Sequence, residues 1–262
     1  MPVSLSPSLE FVLVTRLRAA GCVFAEDEAR LIVSAARTSD ELASMLDRRV
    51  AGVPLEHVLG WAEFCGLRIE VDPQVFVPRR RTAFLVEQAA ALARPRAVVV
   101  DLCCGSGAVG AALADTLDGV EVYAVDIDPA AVRCARRNLA EPARVFEGDL
   151  YAPLPTALRG RIDVLVANAP YVPTDAIRLM PPEARFHEPR VSLDGGADGL
   201  DIQRRVTAGA RDWLAPGGHL LIETSESQAP LTAEAFAAAG LITRIETSDE
   251  VGATVVVGTN PR

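Results

Sequence analysis

Apolar residues in the first fifty positions recur every three or four residues. From Leu5 to Val50, this spacing predicts helices that each bury one face. The repeat is clearest in three groups: Leu9, Val12, Leu13 and Leu17, then Leu31 and Ile32, then Leu42, Met45 and Leu46. Ser39 and Asp40 suit the cap of the third helix. Trp61 to Val71 alternates apolar and polar residues around Cys65–Gly66, which predicts a β-hairpin.

The pattern changes after residue 96, where short β-branched runs alternate with helical stretches. The run Val98–Val100 suits a strand that is buried on both faces. Five further strand candidates follow: Val120–Val125, Ile162–Ala167, His219–Glu223, Leu241–Ile245 and Thr254–Val257. The alternation predicts an α/β fold with a doubly wound, mainly parallel sheet. No helical stretch separates the last two candidates, which predicts an antiparallel hairpin at the sheet edge.

A chain of 262 residues is long enough for one α/β domain and a smaller attached domain. We therefore predict a helical domain over residues 1–58, a β-hairpin linker over 59–78 and an α/β domain over 79–262. The turn-forming pairs Asp72–Pro73 and Val77–Pro78 mark the end of the linker.

The composition narrows the classes of function. The 26 basic and 35 acidic residues give a net charge of −9, which disfavours a non-specific nucleic-acid binder. Every basic residue is Arg, so Schiff-base chemistry on a lysine is excluded. The five cysteines lack metal-ligand spacing, which favours reduced thiols and no metal. Without a membrane-length apolar run or a signal-peptide pattern, we expect a cytoplasmic protein; the Ala-, Arg- and Val-rich composition suggests a bacterial source.

A glycine-rich turn follows the first buried strand. Its sequence is Asp101-Leu-Cys103-Cys-Gly105-Ser-Gly107. Glycine lets a backbone turn sharply and approach a ligand at the carboxyl end of a strand. Asp126 ends the next strand, about one βα unit later, at the distance from which an acid reaches ribose hydroxyls. Asp128 before a proline is better explained as a helix cap.

These two motifs leave a dinucleotide possible, although Cys103 breaks the glycine spacing of that class. Asp149 in Glu147–Leu150 supplies a third element, after a further strand between the candidates Val120–Val125 and Ile162–Ala167. Together the residues resemble the nucleoside-binding motifs of class I methyltransferases. The resemblance implies that S-adenosylmethionine is the cofactor and S-adenosylhomocysteine its product. It assigns Asp126 to the ribose and Asp149 to the adenine, and the full set of cofactor residues is Asp101, Cys103, Gly105, Gly107, Asp126, Ile127, Asp149, Leu150 and Asn168.

Asn168-Ala169-Pro170-Tyr171 follows the strand candidate Ile162–Ala167 and resembles the Asn-Pro-Pro-Tyr motif of methyltransferases that act on planar nitrogens. An amide nitrogen is a poor nucleophile, and two acceptors that bind its N–H groups can orient it and stabilise the developing positive charge. The Asn168 side chain and the Ala169 carbonyl are assigned as these acceptors, with the Tyr171 ring packed on the planar group. Ala169 departs from the motif and loses rigidity, whereas Pro170 still restrains it.

Further segments resemble the glutamine methyltransferases of the PrmC/HemK type. These segments are Gly52–Gly60, Phe64–Gly66, Phe76–Thr82, Glu188–Pro189 with Leu193–Leu200, and Glu223–Gln228. The resemblance implies that residues 79–262 form a methyltransferase domain, which methylates a protein glutamine. It points to the Gly-Gly-Gln loop of class I peptide-chain release factors, with the helical domain as the docking unit.

Three questions stay open at this point. Arg79 either binds substrate or forms a surface salt bridge, and the run Arg79–Arg81 would favour an acidic docking surface. A nucleic-acid adenine methyltransferase is the first alternative, because the exocyclic amine presents the same two donors. A protein that binds S-adenosylmethionine without turnover is the second, since Arg81, Ala83 and Ala169 depart from the motifs.

Overall fold

The computed structural model describes residues 7–141 and 143–261, so Leu5, where the predicted helical region begins, lies outside the described residues. Four helices form the first unit: α1 (Pro7–Ala19), α2 (Ala25–Ala35), α3 (Ser39–Val50) and α4 (Leu55–Leu59). Leu17, Ile32 and Leu46 pack together in a core that belongs to these helices. The apolar faces predicted from the helical spacing thus face the core of this unit.

The cap of α3 differs from the prediction. Thr38, rather than Ser39 or Asp40, adopts the extended cap conformation, and its side chain accepts a hydrogen bond from the Glu41 amide at 3.1 Å. Asp40 and Glu41 fall instead in the first helical turn, where the exposed amide groups favour negative charge.

A short hairpin follows the helices, as predicted. Strands β1 (Trp61–Phe64) and β2 (Leu67–Glu70) pair antiparallel through a turn at Cys65 and Gly66, both with positive φ. Helix α4 ends at Leu59, so the predicted boundary at 58 falls inside its last turn. A single 3-10 turn, Arg80–Thr82, then leads into α5 (Ala83–Leu92).

Seven strands form the main sheet: β3 (Val98–Leu102), β4 (Glu121–Asp126), β5 (Arg144–Glu147), β6 (Ile162–Ala167), β7 (Leu214–Thr224), β8 (Ile242–Ser248) and β9 (Ala253–Thr259). Their order is β5-β4-β3-β6-β7-β9-β8. The first five in that order run parallel, and β9 pairs antiparallel with both β7 and β8. The doubly wound sheet and the edge hairpin are therefore confirmed.

Helices cover both faces of the sheet. They are α5, α6 (Ala108–Thr116), α7 (Pro129–Asn138), α9 (Asp201–Trp213) and α10 (Ala229–Ala238). Helix α8 (Pro182–His187) lies in the connection between β6 and α9. Val99 packs in the core shared with α5, α6 and α7, whereas Val98 and Val100 pack in the core shared with α9 and α10. Strands β4 and β6 flank β3 on opposite sides, so the chain reverses its direction of winding there. In such sheets, ligands bind outside the carboxyl ends of the strands at this reversal.

Candidate functional site

A cavity lies at the carboxyl ends of β3, β4 and β6, where the topology favours a ligand. Its wall includes almost all of the residues assigned from sequence. They are Arg79, Asp101, Cys103, Gly105, Asp126, Ile127, Asp149, Leu150, Asn168, Ala169, Pro170 and Tyr171. Gly107 is the exception, because it lies behind the wall at the start of α6.

The turn after β3 depends on left-handed backbone. Cys103, Gly105 and Gly107 have φ values of 58°, 55° and 78°. A Cβ atom on Gly107 would lie 3.0 Å from the Ala135 Cβ, so the glycine allows α6 and α7 to pack closely. Gly107 therefore has a packing role rather than a direct place in the cavity wall.

Asp101 ties the end of β3 to α6. Its Oδ2 atom accepts a hydrogen bond from the Gly110 amide at 3.0 Å, and only 2% of the residue is exposed. Burial raises the pKa of Asp101 to about 7, although the Gly110 hydrogen bond opposes this rise.

The Asp126 carboxylate accepts hydrogen bonds from the glycine-rich turn after β3 and from the turn that follows Asp126 itself. Oδ2 accepts from the Gly105 amide at 2.8 Å, and Oδ1 accepts from the Asp128 amide at 2.9 Å. Each carboxylate oxygen keeps a second lone pair for another donor. Burial raises the pKa of Asp126, and the backbone hydrogen bonds oppose that rise. Asp128 accepts from the Ala130 amide at 2.8 Å and caps α7, which confirms its assignment as a helix cap.

The far end of the cavity carries an ion pair that the sequence did not indicate. Asp149, in the turn after β5, accepts from Arg205 Nη2 on α9 at 2.6 Å. Ile127 lies on the cavity wall with 53% of its surface exposed. An exposed apolar side chain on a concave wall is typical of a ligand-binding surface.

The segment after β6 presents two acceptors to the cavity. Asn168 Nδ2 donates to Thr82 Oγ1 at 3.2 Å. Among the described residues, none hydrogen-bonds to Asn168 Oδ1 or to the Ala169 carbonyl. Both groups belong to residues of the cavity wall. This pair can accept the two N–H groups of one planar amide or amine.

The glycine loop, Leu193–Leu200, packs against the segment that follows β6. Gly195 donates to the Val172 carbonyl at 2.9 Å, and Gln228 Nε2 donates to the Tyr171 carbonyl at 2.9 Å. A Cβ atom on Gly195 would lie 2.5 Å from the Gly199 carbonyl oxygen and 2.7 Å from that of Pro170. Gly195 therefore has no room for a side chain, because its backbone packs directly against the backbone of Gly199 and Pro170.

Two arginines of the run Arg79–Arg81 are paired with buried glutamates. Arg79 donates to both oxygens of Glu188 at 2.7 Å. Arg81 donates to Glu223 at 3.1 Å and to the Tyr171 hydroxyl at 2.5 Å. Two of the three positive charges are thus paired within the protein, and Arg79 lies on the cavity wall as one half of a salt bridge.

Three buried polar residues at the site were not assigned from sequence. Thr82, Glu188 and Glu223 are 2%, 6% and 1% exposed. Their partners are distant in the chain, so local patterns give no signal for these contacts. Within the described residues, no group of three or more His, Cys, Asp or Glu side chains could hold a metal ion. No helix described here is long and apolar enough to cross a membrane.

The fold and the cavity together define a methyltransferase of class I. The family model described as "Methyltransferase small domain" matches residues 68–193. A methyltransferase from Pyrococcus furiosus has the same fold, with a TM-score of 0.58 at 18% identity over 86% of this chain and 100% of that one.

Sequence relatives identify the family within this class. A release factor glutamine methyltransferase of Geobacter sulfurreducens is 40% identical over 225 residues, which cover 84% of this chain and 78% of that protein. The protein of the same name from Moorella thermoacetica is 41% identical over 209 residues, covering 74% and 72%. The chain belongs to the release factor glutamine methyltransferase family.

Proposed function

We propose that the enzyme transfers a methyl group from S-adenosylmethionine to the side-chain amide nitrogen of a protein glutamine. The target proposed is the glutamine in the Gly-Gly-Gln loop of a class I peptide-chain release factor. The observation that carries the proposal is a pair of acceptors on the cavity wall, Asn168 Oδ1 and the Ala169 carbonyl, to which no described residue donates a hydrogen bond.

The residues of the cavity suit S-adenosylmethionine. Asp126 has lone pairs left for two ribose hydroxyls, and the left-handed turn from Cys103 to Gly105 lets backbone approach the ligand. Ile127 supplies apolar surface beside the nucleoside, and Asp149 and Leu150 lie on the wall where the base would end. When bound, S-adenosylmethionine supplies an electrophilic methyl group and is converted to S-adenosylhomocysteine.

The acceptors make the glutamine nitrogen reactive through orientation. Its lone pair is delocalised into the carbonyl, so attack requires the nitrogen to be held in line with the methyl group. Asn168 Oδ1 and the Ala169 carbonyl each accept one N–H, and both acceptors stabilise the positive charge that grows on nitrogen. The half-buried Tyr171 ring packs against the planar amide.

The helical unit is proposed to dock the body of the substrate protein. Buried Arg49 on α3 bonds Glu28 on α2 at 2.6 Å and Glu183 on α8 at 2.5 Å. Helix α8 belongs to the segment that runs from Tyr171 to the glycine loop. Docking on the helices is therefore connected by direct contacts to the segment beside the acceptor site.

Asn168→Ala tests the proposal. The variant should bind S-adenosylmethionine nearly as tightly as the wild type, but kcat should fall by ~100-fold or more, as for other lost transition-state hydrogen bonds. Asn260→Ala is the matched control, because Asn260 is buried, is not part of the cavity wall and donates to the Leu214 and Ala215 carbonyls. It should lose stability and keep its kcat. A normal kcat in Asn168→Ala would reject the assignment.

The two alternatives are separated with labelled cofactor. A release factor and an adenine-containing oligonucleotide are offered separately to the enzyme. Label on the oligonucleotide alone would indicate a nucleic-acid methyltransferase. Tight cofactor binding without label on either acceptor, or on any protein of a cell extract, would indicate a binding protein without turnover.

A further inference from the structure

The end of the cavity proposed to hold the nucleobase carries two opposite charges. Asp149 Oδ2 accepts from Arg205 Nη2 at 2.6 Å, and both residues belong to the cavity wall. About half of each side chain is exposed, 48% for Asp149 and 52% for Arg205. An ion pair this exposed adds little to folding stability. Its place on the cavity wall therefore points to a role in ligand binding.

The backbone around Asp149 is held by contacts other than this ion pair. The Gly148 amide donates to the Asp126 carbonyl at 2.9 Å. The Ala152 amide donates to the Asp149 carbonyl at 3.0 Å. Leu150, the next residue, has a left-handed backbone with a φ of 49°. These contacts fix the point from which the Asp149 side chain projects, but its carboxylate can still rotate about the side-chain bonds.

Helix α9 is fixed against the same turn. The Tyr151 hydroxyl donates to the Val206 carbonyl at 2.6 Å. The Tyr151 ring stacks on Trp213, with 5.7 Å between the ring centres. A Cβ atom on Gly209 would lie 2.6 Å from the Tyr151 ring, so the ring packs directly on the helix. Arg205 immediately precedes Val206, and it therefore reaches across to the turn from a rigid support.

The ion pair leaves one carboxylate oxygen for the ligand. Arg205 bonds Oδ2 of Asp149, whereas Oδ1 accepts no hydrogen bond from a described residue. An ionised carboxylate can only accept hydrogen bonds. The 6-amino group of adenine can donate to Oδ1, but a 6-oxo group would place a second acceptor against it. The carboxylate can therefore discriminate between an amino and an oxo base, provided that its orientation is fixed.

We propose that Arg205 is a positioning residue that determines base selectivity, because it holds the Asp149 carboxylate in the orientation that accepts the 6-amino group of adenine. This inference rests on the proposed binding of the cofactor, with its base beside Asp149. Arg205 acts through Asp149 and needs no contact of its own with the base. A carboxylate that is already oriented loses less freedom when the ligand binds, so the pair favours the amino base before the ligand arrives.

Base selectivity is measured as the ratio of two dissociation constants, that of S-inosylhomocysteine, which carries a 6-oxo group, to that of S-adenosylhomocysteine. Calorimetric titration gives both constants without a methyl acceptor. In Arg205→Met, which keeps a long side chain and removes the charge, we expect this ratio to fall about fivefold. Arg205→Lys should keep part of the wild-type selectivity, because lysine retains the charge but lacks the planar guanidinium.

Arg204→Met is the matched control. Arg204 is the preceding residue on α9 and pairs with Asp198 at 2.5 Å, with side-chain exposures of 48% and 45%. The two ion pairs are thus alike in exposure and lie on the same helix, but Arg204 is not part of the cavity wall. Both dissociation constants should stay unchanged in this variant.

A double-mutant cycle shows whether Arg205 acts through Asp149. Asp149→Ala alone should remove most of the selectivity, and Arg205→Met should lower it no further in that background. Unchanged selectivity in Arg205→Met would overturn the proposal, as would an equal loss in the wild-type and Asp149→Ala backgrounds. Equal binding of the two ligands by the wild type would overturn it as well. An enzyme that shows the expected selectivities but methylates no glutamine would support this inference and reject the proposed methyl transfer.

Discussion

Replacing Asp126 with alanine separates the proposed ribose contact from the local structure that the same residue supports. The carboxylate already holds the Gly105 and Asp128 amides at 2.8 and 2.9 Å. Its remaining lone pairs are assigned to the ribose hydroxyls. Asp126→Ala therefore removes two kinds of interaction at once, and the expected effects on cofactor affinity and on stability must be worked out separately.

The affinity loss comes from hydrogen bonds to a charged group. Losing ribose hydrogen bonds to Asp126 should cost ~1–3 kcal/mol of binding free energy, which corresponds to a roughly tenfold to hundredfold weaker Kd. The stability loss comes from two backbone amides that lose their acceptor, and water in the cavity can replace part of it. We therefore expect a decrease of about 2 kcal/mol in the free energy of unfolding.

Asp128→Ala is the matched control. Asp128 lies two residues away and also accepts from one backbone amide, but its role is to cap α7. Losing the cap should lower the free energy of unfolding by about 1 kcal/mol, with cofactor affinity nearly unchanged. Calorimetric titration with S-adenosylhomocysteine measures the affinities, and denaturant unfolding measures the stabilities. Equal affinity losses in both variants would refute the assignment of Asp126 to the ribose, as would tighter binding of NAD.

Three further predictions concern other parts of the site. Gly195→Ala should reduce methyl transfer strongly at near-normal cofactor affinity, because its Cβ would push on the Pro170 carbonyl; unaltered kinetics would contradict this. Ala169→Pro should keep or raise kcat, since the structure shows no hydrogen bond from the Ala169 amide to a described residue; a large loss would show that the loop needs another backbone conformation. Burial raises the pKa of Asp101 in the folded protein to about 7, above its usual 3.8, so the folded protein binds this proton more tightly than the unfolded chain does. The free energy of unfolding should therefore fall as pH rises from about 4 to 7. Tm should fall less over this pH range in Asp101→Asn than in the wild type. Parallel curves of Tm against pH for the two proteins would refute the role assigned to Asp101.

Most strands of the sheet could be predicted because a buried strand requires a continuous run of apolar residues in the sequence. Val98–Val100 is buried on both faces, and such strands read as continuous β-branched runs. The first half of β7 escaped prediction, since Pro216, Gly217 and Gly218 look like a turn. Gly217 nevertheless bonds the Asn260 carbonyl, so a partner from the end of the chain holds the strand in place.

The site could be predicted only where its residues follow strands directly. Asp126 and Asn168 each follow the apolar run of a strand, so the topology brings them to one edge of the sheet. Thr82 meets Asn168 across 86 residues, and Arg205 meets Asp149 across 56, with no local pattern to indicate either contact. The charge of Arg79 and Arg81 was visible in the sequence, but their partners Glu188 and Glu223 were not.

The most direct test of the proposed activity is tandem mass spectrometry of a class I release factor after incubation with the enzyme and S-adenosylmethionine. We predict a single added methyl group, located on the side chain of the glutamine in the Gly-Gly-Gln loop. A release factor with that glutamine replaced by alanine should gain none. An unmodified glutamine in the wild-type release factor, under conditions where the enzyme binds both partners, would contradict the proposal.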